Sequence, residues 1–236
     1  MLVEEPPIVS FPAAGTAGSP ATGVVNIRIA GTADRHAAAT GLLRKMYAWR
    51  GYAFDLASDG AANKVTLYAE TNGVLVGTMS LWFDRHGELP ADESYGDHLA
   101  LLRRQGRRLC EPSRLAIDAG LSKRVFAALI HVSYIYAHHL QGFTDYVIEV
   151  NPRHVVFYKR MLGFADLGGE RACARVSAPA VLLRLPLEHM GSEIRRCGGT
   201  MEQGGERSFY PYFFPIRDEP GIIGRLTAGC AQGDAA

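Results

Sequence analysis

The chain has 236 residues, of which 47% are hydrophobic and 21% charged, and its formal net charge at pH 7 is +1. These values are ordinary for a globular protein and exclude a mainly disordered chain or a disulfide-dense miniprotein. The near-neutral charge gives no basic field of the kind that holds nucleic acid, so no nucleic-acid partner is expected. No apolar run approaches the ~20 residues of a membrane span, so no transmembrane segment is expected.

Residues 1–23 are predicted to be a flexible leader. Pro, Gly, Ala, Ser and Thr dominate its second half, and the acidic pair Glu4 and Glu5 replaces the basic start of a secretory signal. The cysteines lack C-x-x-C spacing, so neither a metal site nor a redox motif is expected. Isolated thiols without an export signal predict a cytoplasmic protein.

The first half of the chain predicts strands around a tight turn. Asn72-Gly73 separates two strand-like runs and is a strong hairpin signal. Arg85–Tyr95 is polar and predicts a loop, followed by a short basic helix that ends near Gly106. The predicted strands are 24–30, 64–70, 74–83 and 109–117, with a helix after the first that passes through Leu42, Leu43 and Tyr47.

The second half predicts a long helix, a buried strand and a shorter helix. Ser122 caps the long helix, Tyr146–Val150 is the strand, and Asn151-Pro152 starts a helix that Gly163 ends. A last strand runs through 180–185. Beyond Leu187 the pattern weakens, so residues 188–236 are predicted to be an extension, an aromatic cap followed by a disordered tail. This order predicts a mixed α/β sheet with one parallel crossover.

Three motifs in chain order resemble one family. They are Arg44-Lys-Met-Tyr47 with Arg50-Gly-Tyr52; Gly77-Thr-Met-Ser-Leu81 with Glu111-Pro-Ser-Arg-Leu-Ala-Ile-Asp118; and Asn151-Pro-Arg-His-Val-Val-Phe-Tyr158 with Gly163-Phe164. Over residues 24–187 the chain resembles the N-acyl amino acid synthases of the GNAT acyltransferase superfamily, which are related to the acyl-homoserine-lactone synthases. One position departs from the pattern, because Ser80 stands where the family often has arginine.

The resemblance implies a fold and a reaction. The fold would be a GNAT-like mixed, mostly antiparallel sheet with a parallel strand pair around a central crossover helix, and with helices on both faces. The reaction would move a long-chain fatty acyl group from acyl carrier protein to the α-amine of an amino acid such as tyrosine. The acyl-phosphopantetheine of the carrier protein would be the donor, with no permanently bound cofactor. The alternatives are an acetyl-coenzyme A-dependent N-acetyltransferase and a non-catalytic module that binds acyl carrier protein.

Glu111 and Arg114 are the central candidates for this chemistry. An α-ammonium loses its proton near pH 8, so Glu111 suffices as a base, and Arg114 suits a bidentate bond to a carboxylate. Residues three apart on a strand face opposite sides, but Pro112 predicts a bulge that would let the two side chains converge. The alternative is a structural salt bridge in a polar strand.

The third motif adds two catalytic candidates, Tyr158 and His154. Being four residues apart, they are expected to share a helix face. Many members of the superfamily place a tyrosine near this position to protonate the leaving thiolate, although Tyr158 also fits a half-buried core position. His154 is a candidate for binding the acceptor or orienting the acyl carbonyl, with a structural histidine as the alternative.

The remaining candidates bind the substrates. Ser113, Arg44, Tyr47 and Trp82 are predicted to contact substrate, with core packing as the alternative. For the phosphopantetheine and the carrier protein, the candidates are Gly120, Ser122, Lys123 and Arg124 at a helix N-terminus, which favours anions, and Arg103 and Arg107 in the basic run 101–108. The alternatives there are a simple helix cap and solvated cations.

Overall fold

A computed structural model describes residues 6–13, 23–31, 33–48, 61–85, 87–118, 123–173, 175, 177–201 and 207–233. Its strands are β1 (Val9–Pro12), β2 (Val24–Ile29), β3 (Lys64–Thr71), β4 (Val74–Phe83), β5 (Leu109–Ile117), β6 (Asp145–Val150), β7 (Ala165–Cys173) and β8 (Ala178–Pro186). Its helices are α1 (Ala33–Ala48), α2 (Asp92–Arg104), α3 (Lys123–Tyr134), α4 (Val155–Leu162), α5 (Leu187–Cys197) and α6 (Glu219–Gly233). A π-helical segment, Ile135–Leu140, continues α3.

The described strands form one eight-stranded sheet in the order β1-β2-β3-β4-β5-β6-β8-β7. Its neighbours are antiparallel except β5 and β6, which are parallel and are joined by the crossover through α3. Consecutive β5 residues belong to different apolar clusters: Leu109 packs with Tyr95 and Leu99 of α2, whereas Cys110 belongs to the larger core that includes α3. Helices therefore cover both faces, which confirms the predicted GNAT-like mixed fold.

The hairpin between β3 and β4 forms as predicted. Thr71 pairs with Val74, and the two turn residues, Asn72 and Gly73, have φ values of 49° and 75°. Positive φ at both central residues gives a turn whose twist matches that of the strands, and asparagine and glycine adopt it at low cost.

Both ends of the chain differ from the sequence-based expectations. Part of the predicted leader is an edge strand, because β1 pairs with β2 from Val9↔Ile27 to Pro12↔Val24. In place of a disordered tail, the C-terminal extension forms α5 and, as far as Gly233, α6. The ends also meet, since the Arg225 side chain donates to the Ile8 carbonyl and the Phe11 ring lies 5.9 Å from the Phe214 ring.

The spacing of apolar residues explains why the C-terminal extension is helical. In α5 the buried side chains Leu187, Met190, Ile194 and Cys197 recur at intervals of three or four residues and so line one face. In α6, Ile222 and Leu226 are likewise four residues apart and buried. The glycines around these helices obscure the pattern in the sequence, but the apolar stripes still pack on the core.

The start of one predicted helix and the presence of one strand also differ from the sequence-based expectations. Helix α2 begins at Asp92, inside the predicted loop Arg85–Tyr95, and β7 was not predicted at all. Strand β7 lies at the edge of the sheet opposite β1, its pairing with β8 is interrupted by register shifts, and it contains Gly168 and Gly169. Irregular edge strands with glycine lack the alternation that marks a regular strand.

Candidate active site

A cleft opens where β5 and β6 separate. The two parallel strands pair only at Leu109↔Asp145 and Cys110↔Tyr146, although β5 continues to Ile117 and β6 to Val150. Beyond these pairs the facing edges of the two strands line a cavity of about 120 Å³ instead of bonding to each other. The cavity is lined by Met79, Pro112, Ser113, Arg114, Leu115, Ile130, Tyr146, Ile148, Glu149, Val150, Tyr158, Leu162, Phe164 and Met190.

One part of the cavity wall is apolar and buried. It includes Ile130 of α3, Leu162 of α4 and Met190 of α5, none of which is more than 5% exposed. The Tyr146 hydroxyl on this wall is satisfied by Ser133 Oγ at 2.9 Å. A concave apolar surface without unsatisfied hydroxyls is suited to hydrocarbon.

A β-bulge lies in β5 beside the cavity. Ser80 of β4 pairs with Ser113 and Thr78 pairs with Ala116, so β5 carries one more residue than β4 over this interval. Arg114 lies in this interval with φ +51°, a conformation that is strained for a residue with a side chain and that recurs at functional sites. The bulge confirms a prediction, but Pro112 is not its cause, since Pro112 pairs in regular register with Leu81.

Glu111 lies on the other face of the strand, under the start of α2. Its cross-strand partner is Trp82, and its Oε2 accepts a hydrogen bond of 2.8 Å from the Ala91 N–H. The bulge follows Ser113 and so does not lie between Glu111 and Arg114; the convergence predicted for these two side chains is not produced in that way. Glu111 is not among the residues that line the cavity.

The environment of Glu111 raises its pKa from the ordinary 4.5 to about 7. Burial is the main cause, because the side chain is shielded from water and the charged form loses its hydration. The Ala91 N–H and the positive charge of Arg175 oppose the shift, while Asp92 adds to it. A carboxyl group with a pKa near neutrality has the properties of a general base or acid.

Tyr158 and His154 have different positions. Tyr158 is half-buried on α4, lines the cavity and contacts the Phe164 ring edge-on at 5.8 Å. His154 is exposed at the end of a 3-10 turn, Pro152–His154, and accepts a bond of 3.2 Å from Arg153 Nε. The change from 3-10 to α-helical geometry at Val155 alters the simple four-residue spacing, and only Tyr158 is on the cavity wall.

The predicted substrate-contacting residues are dispersed. Ser113 lines the cavity, and its Oγ accepts a 3.1 Å hydrogen bond from Trp82 Nε1. Trp82 itself is buried in the cluster beneath α2 and does not line the cavity; it holds the Ser113 side chain in place through this hydrogen bond. Arg44 is exposed on α1, and Tyr47 belongs to the same helix, although its side chain is outside the described part.

Of the four residues predicted to bind phosphopantetheine at the start of α3, two are described, Lys123 and Arg124. Gly120 and Ser122 lie outside the described residues, and Lys123 is exposed with its Nζ 5.5 Å from the Tyr212 ring. Arg124 Nη1 donates to the carbonyls of Tyr212 and Phe213 at 2.7 and 3.3 Å, and burial lowers the pKa of its guanidinium. Arg124 therefore anchors the aromatic segment 209–214 through Nη1, and its role in phosphate binding stays a prediction.

The basic run 101–108 also has a partly structural role. Arg103 forms a bidentate pair with Asp92 at 2.6 and 2.7 Å and a further bond to Asp84 at 2.6 Å. Arg107 bonds at 2.5 Å to Asp145, whose side chain is fully buried. These pairs give Arg103 and Arg107 a structural role, and their contribution to docking stays a prediction; Arg104 and Arg108 in the same run are exposed.

Two other features, a metal centre and a membrane-spanning helix, are absent from the described residues. These residues hold no cluster of three or more histidine, cysteine, aspartate or glutamate side chains arranged for a metal ion. Among the same residues, no helix combines the length and the apolar character that crossing a bilayer requires.

The site also contains residues that the sequence analysis missed. Tyr146, Ile148, Glu149 and Met190 line the cavity but were assigned no role. For Glu149 a signal existed, since it is the one carboxylate in the otherwise apolar run Tyr146–Val150. For the apolar residues no signal distinguished the wall of a cavity from ordinary core.

A mixed sheet in which the one parallel pair among the described strands separates around a cavity, with a bulge in the first strand of that pair, has the architecture of a GNAT acyltransferase. Residues 38–186 match the family model described as N-acyl amino acid synthase FeeM. The chain belongs to this family of N-acyl amino acid synthases, as the sequence motifs predicted. None of the curated proteins matches the chain.

Solved structures agree with this assignment. The N-acyl amino acid synthase FeeM from uncultured soil microbes is 30% identical, with a TM-score of 0.66, over 72% of this chain and 95% of that one. An N-acetyltransferase from Staphylococcus aureus Mu50 is 15% identical (TM-score 0.50), over 70% of this chain and 98% of that one. Escherichia coli ElaA is 10% identical (TM-score 0.51), over 67% of this chain and 98% of that one, and at this identity shows the fold alone.

Proposed function

We propose that the protein transfers a long-chain fatty acyl group from the thioester of acyl carrier protein to the α-amine of an amino acid. The observation that carries the proposal is the cavity between β5 and β6, which combines an apolar wall with Arg114 at a strained bulge. An acyl chain needs the apolar wall, and an amino acid needs a partner for its carboxylate.

The donor would lie along the separated strand edges. Beyond Cys110, β5 has no partner in β6 over the described residues, so backbone N–H groups of this edge are available to a thioester oxygen that becomes negatively charged. The alkyl chain would extend along Ile130, Leu162 and Met190. In the basic run 101–108, the exposed Arg104 and Arg108 are also suited to an acidic carrier protein.

The reaction is aminolysis of the thioester. The amine nitrogen bonds to the carbonyl carbon, its proton passes to Glu111 by way of water because Glu111 does not itself line the cavity, and the carbon–sulfur bond breaks. With a pKa of about 7, Glu111 is ionised at slightly alkaline pH and can accept the proton that the amine loses. The thiolate leaves with little help because a thiol has a pKa of ~8.5, and Tyr158 on the cavity wall is suited to protonate it.

The acceptor is an amino acid whose carboxylate binds Arg114, for which tyrosine is the proposed example. Ser80 pairs with Ser113 next to the bulge and hydrogen-bonds Thr66 at 3.0 Å. A serine there cannot supply the ionic contact that an arginine supplies, so the acceptor pocket differs at this position from the family pattern. Cys110, Cys173 and Cys197 are buried and in the thiol form, which fits the cytoplasmic location predicted from the sequence.

One assay tests the proposal against its alternatives. The protein is incubated with palmitoyl acyl carrier protein and an equimolar pool of the twenty amino acids, and products are identified by mass spectrometry. An N-palmitoyl amino acid is the expected product. Turnover with acetyl-coenzyme A alone would replace the proposal by a small-acyl acetyltransferase, and carrier-protein binding without any product would indicate a non-catalytic binding module.

A further inference from the structure

Glu149 has an unsatisfied carboxylate oxygen at the cavity. Its side chain is 5% exposed, and it lies on β6 among the residues that line the cavity. Its Oε2 accepts a hydrogen bond from Arg175 Nη2, whereas its Oε1 is buried with no hydrogen-bond partner in the part of the chain that the structure describes. An unmade bond at a buried charged oxygen is costly, so such a group in a native protein calls for an explanation.

The opposite side of the same cavity carries a positive charge. Arg114 is on β5 and Glu149 is on β6, so the two charges belong to the two strands that form the cleft. A free amino acid is a zwitterion whose ammonium and carboxylate are separated by one carbon atom. A cavity with a guanidinium on one strand and an unsatisfied carboxylate oxygen on the other is complementary to that pair of charges.

We propose that Glu149 Oε1 binds the α-ammonium of the acceptor amino acid. The inference rests on the proposed function and adds to it a second point of recognition, beside the carboxylate contact assigned to Arg114. Arg175 would hold the Glu149 carboxylate in place through Oε2 and leave Oε1 for the substrate. The requirement for an ammonium next to a carboxylate would then select free amino acids over simple amines and over carboxylic acids.

The chain supplies a matched control. Glu93 also pairs with Arg175, at 3.2 Å, but its side chain is 52% exposed and it does not line the cavity. Glu93→Gln and Glu149→Gln therefore each remove one negatively charged partner of Arg175. Only Glu149→Gln removes a negative charge from the cavity.

The test measures the two Michaelis constants separately. The acceptor is an equimolar pool of the twenty amino acids, the donor is palmitoyl acyl carrier protein, and released thiol is followed. Glu149→Gln is expected to raise the KM for the pool about 10- to 100-fold, the usual weight of a charge-assisted hydrogen bond, and to leave the donor KM within about twofold. Glu93→Gln should change neither constant, and Glu149→Asp, which keeps the charge, should have a smaller effect than Glu149→Gln.

Three outcomes would overturn the inference: equal pool KM values in Glu149→Gln and Glu93→Gln, equal effects of Glu149→Gln and Glu149→Asp, or a rise in the donor KM alone. A rise in the donor KM alone would mean that Oε1 binds an amide of the phosphopantetheine arm. If Glu149→Gln fails to fold, judged by circular dichroism, the wild-type enzyme provides the test. The N,N-dimethyl derivative of the amino acid that it acylates should inhibit at least tenfold more strongly than the corresponding acid without the amine; equal inhibition, or none by either compound, overturns the inference.

The two proposals fail in different ways. If the wild-type protein acylates no amino acid from the pool, the proposed function fails and the inference fails with it. If the wild-type protein makes N-palmitoyl amino acids but Glu149→Gln behaves as Glu93→Gln does, only the inference is lost.

Discussion

Replacing Glu111 by glutamine is expected to stabilise the protein while removing its activity. A buried carboxyl whose pKa is raised to about 7 is destabilising to the folded state whenever it is ionised. Glutamine has the same shape, carries no charge, and keeps an oxygen to accept the 2.8 Å bond from the Ala91 N–H. The same substitution removes the proposed base.

The size and sign of the stability effect follow from the pKa values. Below about pH 4.5 the carboxyl is protonated in both the folded and the unfolded chain, so the wild type and Glu111→Gln should differ little. Between pH 4.5 and 7 the unfolded chain has lost the proton and the folded chain has kept it, so wild-type stability falls relative to the variant as pH rises. Above pH 7 the free energies of unfolding of Glu111→Gln and the wild type should differ by about 3 kcal/mol, the energy that corresponds to raising the pKa from 4.5 to about 7.

Urea unfolding at pH 4.5 and pH 8 measures this difference, with Glu88→Gln, an exposed glutamate, as the control for loss of one negative charge. In parallel, the wild-type rate on the amino acid pool should rise about tenfold from pH 6 to pH 8 and be half-maximal near pH 7, and Glu111→Gln should lose about 10²- to 10⁴-fold in kcat. If Glu111→Gln were no more stable than wild type at pH 8, the assigned pKa would be wrong. If its kcat were unchanged, Glu111 would not be the base.

Three further predictions concern other parts of the molecule. Burial alone would raise the pKa of Glu219, but hydrogen bonds from His131 and His139 outweigh it and lower the pKa to about 2. Glu219→Gln should therefore lower the free energy of unfolding by about 2 kcal/mol at pH 7. In urea titrations, the difference between the variant and the wild type should diminish as pH falls from 4.5 towards 2. Reversing the exposed Arg104 and Arg108 together to glutamate should raise the KM for palmitoyl carrier protein several-fold at low salt but not that for palmitoyl-coenzyme A; equal effects on both donors would exclude a docking role. Met190→Ala should shift the preferred donor towards longer acyl chains in a competition among acyl carrier proteins. An unchanged preference would mean that the acyl chain does not bind along the wall that contains Met190.

Much of the fold could be predicted because the decisive residues have local effects. Asn72-Gly73 specifies its turn through the φ values that these residues tolerate, and Asn151 caps its helical turn by accepting a bond of 3.2 Å from the Arg153 N–H. Strand β7 and helix α6 could not be predicted in this way. They depend on packing against distant parts of the chain, which local patterns do not contain.

The site could be predicted only in part for a related reason. The motif around Glu111 and Arg114 identified the strand that carries the chemistry, and Tyr158 is on the cavity wall. Charge type alone, however, did not separate cations available for ligands from those used internally. Whether an arginine pairs with a carboxylate depends on long-range neighbours, as Arg103 with Asp84 and Arg107 with Asp145 show.

The meeting of the two chain ends has a consequence for biosynthesis. Phe11 packs against Phe214, and Ile8 accepts a bond from Arg225, yet the family model covers neither segment. At translation rates of about 5–20 residues per second, roughly 10 to 40 s separate the synthesis of these partners. The first strand therefore leaves the ribosome long before the segment that secures it, and we expect the sheet edge to be consolidated only after that later segment has emerged.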